Sequence, residues 1–306
     1  MRTRKLVALG LTSGLALASA GCIENSPAVI SAQQIKSLEH PTIPNAVHGV
    51  VSAIVEIDSP AASNAYGVEY RIGTGELVSA IGNNGVKHTV VLTAAHVIAA
   101  SGTDCKQNST FYLGQYGEEL NSKATAETNA PAVEDPNSSA YALAYDNEQD
   151  AAVVLPDSLQ GVRGKPLTLQ DSVNVTPGTP VFAIGLGERN GEYQSVASPN
   201  IYEGIALGTV DNKIAYLALN SSPYTQMQHG DSGGALVDAS GLPYAIDTSV
   251  DDSPDGTPIP FTEAQISKMF NVSFSSPSTE TFSIDYAQIV TTTILQSLDQ
   301  SLVTCR

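Results

Sequence analysis

Basic residues are scarce in this sequence. Its 306 residues include 14 lysines and arginines against 31 aspartates and glutamates, which gives a net charge of −17. A surface of this sign repels phosphate backbones, so the composition argues against a nucleic-acid partner. Charged residues of both signs make up only 15% of the chain and hydrophobic residues 42%. This balance excludes an intrinsically disordered chain and a polytopic membrane protein.

Long hydrophobic runs are lacking near the start of the chain as well. The apolar stretch at residues 6–18 is too short to span a bilayer comfortably, and three basic residues precede it. This pattern is typical of an export signal, which we place at residues 1–22. Ordinary signal-peptidase cleavage after Ala20 is one route; alternatively, the following residues resemble a bacterial lipobox, in which Cys22 becomes lipidated and anchors the chain in a membrane. Both routes predict an exported protein, whether secreted, periplasmic or held in the cell envelope as a lipoprotein.

Cysteine is rare, and the spacing of Cys22, Cys105 and Cys305 matches no metal-binding pattern. An odd number of cysteines in an exported protein leaves one without a disulfide partner. Acylation of Cys22 would remove the odd one and leave Cys105 and Cys305 free to pair. Such a bridge would close a long loop and stabilise the fold by about 3–5 kcal/mol in the chain-entropy model. The alternative is a pair of buried free thiols.

Short apolar and alternating runs, separated by glycine and asparagine turns, fill the chain after residue 47. Residues 23–46 are polar and contain three prolines, and we expect them to form a spacer or pro-segment. Residues 115–148 have the composition of a loop, and a second β-rich half follows a linker at residues 161–166. The many short strands predict an all-β protein in two halves.

The end of the chain is expected to be helical. Asp285 is placed to cap such a helix. Residues near helical spacing follow it: Tyr286, Ile289, Val290, Thr293 and Leu298. The sequence therefore predicts one terminal helix after the strands.

Three separate segments contain residue types that are used in nucleophilic catalysis. His96 lies in a Thr-Ala-Ala-His-Val segment that follows a predicted strand. Asp150 stands directly before an apolar strand, and a serine lies between glycines in the Gly-Asp-Ser-Gly-Gly segment at residues 230–234. Asp104 and Asp146 are rival acids, and we favour Asp150 because the apolar run begins immediately after it.

The chemistry of these residue types is complementary. The hydroxyl of Ser232 is a weak nucleophile unless a base takes its proton. His96 titrates near neutrality, so it is able to accept that proton and return it to a leaving group. A buried carboxylate such as Asp150 fixes the imidazole tautomer. Gly230 permits a backbone twist that aims its own N–H and that of Ser232 at one point, where they would hold the oxyanion of a tetrahedral intermediate.

In the order His, Asp, Ser, the three segments resemble the chymotrypsin/trypsin-like serine peptidase family. Two further segments are similar to segments of that family: Gly73-Thr74-Gly75 and Gly185-Leu186-Gly187. The resemblance implies two perpendicular six-stranded antiparallel β-barrels with a C-terminal helix. It implies an N-terminal barrel with His96 and Asp150 at residues 47–163, and a C-terminal barrel with Ser232 at residues 164–306.

The same resemblance implies a serine endopeptidase that acts on protein or peptide substrates through an acyl-enzyme intermediate. His96 would be the general base and then the general acid, Asp150 its orienting carboxylate, and the amides of Gly230 and Ser232 the oxyanion donors. This chemistry needs no metal and no other cofactor. Two alternatives share the scaffold: a non-catalytic protein whose cleft binds a partner without cutting it, and an esterase with the same triad.

The sequence departs from the family pattern at several positions. Val97 and Gln228 stand where the family often has cysteines. The mature N-terminal sequence of trypsin-like zymogens, Ile-Val-Gly-Gly, is missing, and residues 45–50 are only weakly similar to it. In those zymogens the freed α-amino group pairs with the acid before the nucleophile, here Asp231. Because an unpaired buried carboxylate is costly, we expect Asp231 to have another partner.

Substrate selectivity is expected to come from a pocket whose base lies near Gln226, counting back from Ser232. No acid stands at that position, so it predicts no preference for arginine or lysine. Counting forward places Asp247 and Ser249 along the strand that pairs with substrate. A negative charge in the pocket would then come from Asp247 or Asp251.

Overall fold

The described part of the chain begins with a folded N-terminal segment. The computed structural model describes residues 26–60, 70–81, 87–98, 111–114, 139–146, 149–156, 164–189, 192–194, 198–219, 227–250 and 259–292. The N-terminal segment, residues 26–53, contains β1 (Ala28–Ile30), α1 (Ala32–Glu39), α2 (Asn45–Val50) and a short 3-10 helix (Val51–Ala53). α1 begins at a reciprocal cap, in which the Ser31 hydroxyl accepts from the Gln34 N–H and the Gln34 side chain accepts from the Ser31 N–H.

The first barrel follows directly. Its elements are β2 (Ile54–Pro60), β3 (Tyr70–Ile81), β4 (Lys87–Thr93), α3 (Ala95–Ile98), β5 (Phe111–Gly114), β6 (Ser139–Asp146) and β7 (Ala151–Pro156). The strands pair antiparallel and close in the order β2-β3-β4-β7-β6-β5. Branched side chains such as Val55, Ile57 and Val91 are fully buried in its core, which suits the high β-propensity of these residue types.

The strand β6 corrects one sequence-based expectation. It lies inside residues 115–148, whose composition predicted a loop. The stretch pairs with both β5 and β7, so these partners, which the local composition does not reveal, determine its conformation.

The second half of the chain forms another closed sheet. Its elements are β8 (Pro180–Gly185), β9 (Glu188–Arg189), β10 (Glu192–Tyr193), β11 (Asn200–Val210), β12 (Lys213–Leu219), β13 (Ala235–Val237), β14 (Pro243–Val250), α4 (Glu263–Phe270), β15 (Val272–Phe274) and β16 (Phe282–Ile289). Six strands close antiparallel in the order β11-β12-β16-β14-β13-β8, and β9 pairs with β10 as a hairpin. The predicted all-β fold of the trypsin-like type is confirmed.

The predicted start of the C-terminal helix is wrong. Asp285, Tyr286 and Ile289 lie in β16, which fills the place between β12 and β14 in the second barrel. Asp285 is fully buried and caps no helix. The need to close the barrel outweighs an apolar spacing that also fitted a helix. Residues 293–306, on which the rest of that prediction falls, lie outside the described residues.

The expected spacer at residues 23–46 is folded from residue 26 onward. β1 runs parallel to β15, and Ile30, Ile35 and Leu38 share one buried cluster with strands of the second barrel and with α4. Each fully buried aliphatic side chain contributes roughly 1.5–3 kcal/mol. The N-terminal segment is therefore docked on the second barrel and is not an extended tether.

The two barrels meet along a shared apolar seam. Leu167 joins the first barrel through two backbone hydrogen bonds: its N–H donates to the Leu77 carbonyl at 2.8 Å, and its carbonyl accepts from the Ser79 N–H at 2.9 Å. Ile246 of β14 and Val290 pack in one cluster with residues of β3, β4 and β7. Among the helices that the structure describes, none is long and apolar enough to cross a membrane.

Candidate active site

His96 and Asp150 are in direct contact. The Asp150 Oδ1 atom accepts the backbone N–H of His96 at 2.9 Å, and Oδ2 lies 2.8 Å from His96 Nδ1. His96 stands in the short helix α3 just after β4, and its side chain is 48% exposed, whereas that of Asp150 is 20% exposed. The carboxyl group therefore holds both the backbone and the ring of the histidine and leaves much of the ring accessible.

The backbone at Asp150 explains how this contact is made. Asp150 ends the turn between β6 and β7 and has a φ of 51°. Aspartate tolerates this left-handed conformation better than most residues. The turn brings the carboxyl group to His96, which follows β4, the strand that pairs with β7. Asp146, a rival acid, belongs to β6 and is paired with Ala151 across the hairpin, and Asp104 lies outside the described residues.

The segment at residues 230–234 forms a tight turn in which some backbone N–H groups are hydrogen-bonded within the fold and others are not. Gly230 and Gly233 have φ values of 96° and 86°, which glycine adopts without strain. The N–H groups of Asp231, Gly233 and Gly234 donate to the carbonyls of Gln228, Asp247 and Asp231. Within the described part of the chain, the N–H groups of Gly230 and Ser232 donate to no protein acceptor.

The serine segment lies against the histidine segment. The Thr74 N–H donates to the Ser232 carbonyl at 2.9 Å. A Cβ atom at Gly233 would collide with the Thr93 hydroxyl and would lie 2.9 Å from the Ala94 nitrogen. Only a glycine permits this approach, and it brings Ser232 next to the end of β4, from which His96 follows.

Thr74 is a site residue whose role sequence reasoning missed. Its hydroxyl donates to the Gly230 carbonyl at 2.8 Å and accepts from the Leu186 N–H at 2.9 Å. The Thr93 hydroxyl in turn donates to the Thr74 carbonyl at 2.7 Å. The Gly73-Thr74-Gly75 segment gave a signal through its resemblance, but nothing in the sequence indicated that Thr74 joins the two barrels.

Asp231 has the additional partners that the sequence required. Its carboxyl group is fully buried and accepts hydrogen bonds from Gly187, Asn200, Tyr202 and Gln228. Burial raises the pKa of Asp231, and the four hydrogen bonds act in the opposite direction. Neither Asn200 nor Tyr202 stood out in the sequence.

Other buried acids lie close to this turn. Asp247 is fully buried, and its Oδ1 accepts the Tyr216 hydroxyl at 2.9 Å. Burial raises the pKa of Asp247 well above its ordinary value, with further contributions from the charges of Asp231, Asp285 and Glu76. Burial also raises the pKa of Glu76 to about 8. Asp285 accepts the Met227 N–H at 3.0 Å.

The predicted pocket residues differ in burial, and some lie outside the described residues. The Asp247 carboxyl is turned toward Tyr216 inside the second barrel, so it is not an exposed charge on the cleft. Ser249 is half-buried on β14, beyond an irregularity in the strand pairing. Gln226 and Asp251 lie outside the described residues, as do all three cysteines, Cys22, Cys105 and Cys305. The described residues contain no group of three or more His, Cys, Asp and Glu side chains arranged to hold a metal ion.

The chain matches a family of known proteins. The sequence model of a family described as "Trypsin-like peptidase domain" matches residues 73–246, which is more than half of the chain. The matched range includes His96, Asp150 and Ser232. No curated protein matches the chain.

Proposed function

Because the chain belongs to the trypsin-like peptidase family, we propose that it is a serine endopeptidase whose catalytic triad is Ser232, His96 and Asp150. The observation that carries the proposal is the double contact of Asp150 with His96, at 2.9 Å to the backbone N–H and 2.8 Å to Nδ1. A carboxylate that accepts from Nδ1–H fixes the tautomer in which Nε2 is free to take a proton.

The reaction proceeds through an acyl-enzyme. The Ser232 hydroxyl attacks the carbonyl carbon of the peptide bond while His96 takes its proton. His96 then donates that proton to the nitrogen of the leaving amine, and the C–N bond breaks. Water, deprotonated by His96, attacks the resulting ester. The C–O bond to Ser232 then breaks, His96 returns the proton to the serine oxygen, and the acid product leaves. Asp150 stabilises the imidazolium that forms in each step.

The turn at residues 230–234 supports the oxyanion part of this mechanism. The N–H groups of Gly230 and Ser232 have no protein acceptor in the described part of the chain, whereas those of Asp231, Gly233 and Gly234 are used inside the fold. Two unused donors beside the nucleophile are what a tetrahedral oxyanion needs. Losing one such donor typically costs about 3–4 kcal/mol of transition-state stabilisation.

The proposal also covers the location of the protein in the cell. The N-terminal sequence favours export, and the substrates are then proteins or peptides outside the cytoplasm. Acylation of Cys22 would hold the enzyme at a membrane surface. A disulfide between Cys105 and Cys305 remains a prediction for the exported chain. The mass of the mature N-terminus, measured on protein purified from the envelope fraction, distinguishes cleavage after Ala20 from acylation of Cys22.

A fluorophosphonate probe tests the catalytic proposal. We expect it to label the wild-type protein stoichiometrically and to leave Ser232→Ala unlabelled. Ser172→Ala, which changes an exposed serine, is the matched control and should label as wild type. Correctly folded wild-type protein that is not labelled would overturn the proposal and favour the non-catalytic binding protein. Labelled protein that cleaves activated esters but no peptide library would favour the esterase.

A further inference from the structure

The carboxyl group of Asp231 has no remaining capacity to accept hydrogen bonds. Its Oδ1 accepts the Gly187 N–H at 2.6 Å and the Asn200 side-chain amide at 3.0 Å. Its Oδ2 accepts the Gln228 N–H at 2.8 Å and the Tyr202 hydroxyl at 3.1 Å. Each carboxylate oxygen has about two acceptor sites, so both oxygens are saturated by groups of the same chain.

The space around this carboxyl group is also filled. A Cβ atom at Gly185 would lie 2.8 Å from the Asp231 Cγ atom, and one at Gly187 would lie 2.6 Å from it. Real Cβ atoms essentially never approach so closely. Both positions therefore need glycine, and the backbone of the β8–β9 connection covers this side of the carboxyl group. An incoming ammonium group would have to displace one of the present donors.

All four donors are uncharged. The nearby charged groups include Arg189, whose guanidinium carbon lies 6.0 Å from the centroid of the Tyr202 ring, and the buried acids Asp247 and Asp285, which interact with Tyr202. The hydrogen bonds from described residues to the Asp231 carboxyl come from the four uncharged donors. The carboxyl group is held by dipoles fixed in the second barrel, because Asn200 and Tyr202 belong to β11.

The packing of residues 45–50 also argues against activation by a cut in this segment. Residues 45–50 form α2, and Val47 and Val50 are buried there. This is the segment that is weakly similar to the mature N-terminal sequence of trypsin-like zymogens. Both valines share an apolar cluster with residues of the second barrel, so a cut in this helix would disturb packing that the chain already has.

We propose that Asn200 and Tyr202 are positioning residues that hold Asp231, and through it the oxyanion turn, in its active shape without any α-amino group. This rests on the proposed function, since the turn matters for catalysis only if Ser232 is the nucleophile. It follows that the enzyme is competent without any cut after the export signal is removed, a form that we call the uncut chain. Acylation of Cys22 at its α-amino group would be compatible with that state.

The first experiment tests the independence from the N-terminus. A chain of residues 23–306 with an uncleavable N-terminal tag in place of the export signal is compared with the untagged, exported protein, and the mass of both is measured after the assay. We expect kcat/KM for a peptide substrate and the affinity for a peptide boronate to agree within about twofold. Activity that appears only after a cut, and is lost when the new α-amino group is acetylated, would overturn the proposal.

The second experiment tests the two positioning residues. Asn200→Asp keeps the shape but replaces a donor with an acceptor, and Tyr202→Phe removes only the hydroxyl. Because the oxyanion turn acts in the transition state, we expect at least a tenfold fall in kcat, a comparable loss of boronate affinity and a KM within about twofold of wild type. An unchanged kcat in Tyr202→Phe and in folded Asn200→Asp would contradict the proposal.

Matched controls separate positioning from general stability. Tyr216→Phe removes an equally buried tyrosine hydroxyl from a buried acid, Asp247, and Asn174→Asp makes the same change as Asn200→Asp at an exposed site. We expect Tyr216→Phe to lower the melting temperature and neither control to change the boronate affinity. If Tyr216→Phe weakens boronate binding as much as Tyr202→Phe does, the effect is not specific to Asp231.

Amide hydrogen exchange gives a readout that does not depend on activity. In the uncut chain, the N–H groups of Gln228, Asp231, Gly233 and Gly234 are hydrogen-bonded, so a peptide covering residues 227–235 should be protected. Protection should fall in Asn200→Asp. Protection without fluorophosphonate labelling would overturn the proposed function and leave only the positioning of the turn by Asn200 and Tyr202. An unprotected turn in a labelled, N-terminally cut enzyme would overturn the inference alone.

Discussion

The hydroxyl of Thr74, on β3 of the first barrel, donates to the carbonyl oxygen of Gly230 at 2.8 Å. The same hydroxyl accepts the N–H of Leu186 at 2.9 Å, so one side chain connects the first barrel to two loops of the second. His96 belongs to the first barrel and the serine turn to the second. Their relative placement therefore depends on contacts of this kind between the barrels.

Thr74→Val is expected to lower both the free energy of unfolding and the proposed peptidase activity. Valine has nearly the same shape but leaves the Leu186 N–H and the Gly230 carbonyl without a partner in a buried place. Such a change typically costs about 1–3 kcal/mol, and a loss of 1.4 kcal/mol in transition-state stabilisation is about tenfold in rate. Urea unfolding and kcat/KM measure the two effects. Thr209→Val, on an exposed position of β11, should change neither, and a Thr74→Val enzyme with wild-type kcat/KM would show that the bridge is dispensable.

Asp150→Asn is expected to lower kcat by a factor on the order of 10⁴. Asparagine fits the left-handed backbone at this position, but its amide no longer holds His96 in the tautomer that the reaction needs. Asp211→Asn is a close control, because Asp211 has a φ of 48° and Asp150 one of 51°, while Asp211 lies in an exposed turn. Steady-state kinetics at several pH values check the prediction. A loss of less than tenfold in Asp150→Asn would remove Asp150 from the triad.

Local motifs predict His96, Asp150 and Ser232 as site residues, because each stands at a fixed place beside a strand or in a tight turn. The backbone conformation of a few consecutive residues determines that placement, so the sequence contains most of the signal. The partners of Asp231 are a different case. Asn200 and Tyr202 lie 31 and 29 residues from it in the chain, and only the pairing of β11 in the barrel brings them to the serine turn.

The two ends of the described chain were predicted less well for the same reason. β16 has an apolar spacing that fits a helix, and its strand conformation follows from the two neighbours that it joins. Residues 23–46 are polar enough to predict a tether, yet three aliphatic residues among them, Ile30, Ile35 and Leu38, pack on the second barrel. Composition does not show which surface a segment will cover.

Leu38→Ala is expected to destabilise the protein by about 2–5 kcal/mol, as large-to-small changes in a core do. Leu38 is fully buried on α1, against strands of the second barrel. Met269→Ala on α4 is the control, since Met269 is 51% exposed, and it should cost much less. Denaturant unfolding of both variants gives the comparison. If Leu38→Ala unfolds at the wild-type denaturant concentration, the N-terminal segment does not contribute to the stability of the second barrel.

Glu76 should make the protein less stable as the pH rises from about 4.5 to about 8. Its side chain is buried on β3, its Oε2 has no hydrogen-bond partner among the described residues, and burial raises its pKa from 4.5 to about 8. Between these values the folded chain keeps a proton that the unfolded chain releases, so the free energy of unfolding falls by up to about 1.4 kcal/mol per pH unit. The raised pKa of Asp247 acts in the same direction.

Glu76→Gln should remove the part of this slope that belongs to Glu76, because glutamine keeps the shape and does not ionise. We expect the variant to equal wild type near pH 4.5 and to exceed it increasingly toward pH 8, as measured by urea unfolding at each pH. Glu39→Gln changes an exposed glutamate and should leave the slope as it is. A Glu76→Gln protein whose stability follows the wild-type pH profile would mean that Glu76 is ionised in the folded state with a partner able to hold its charge.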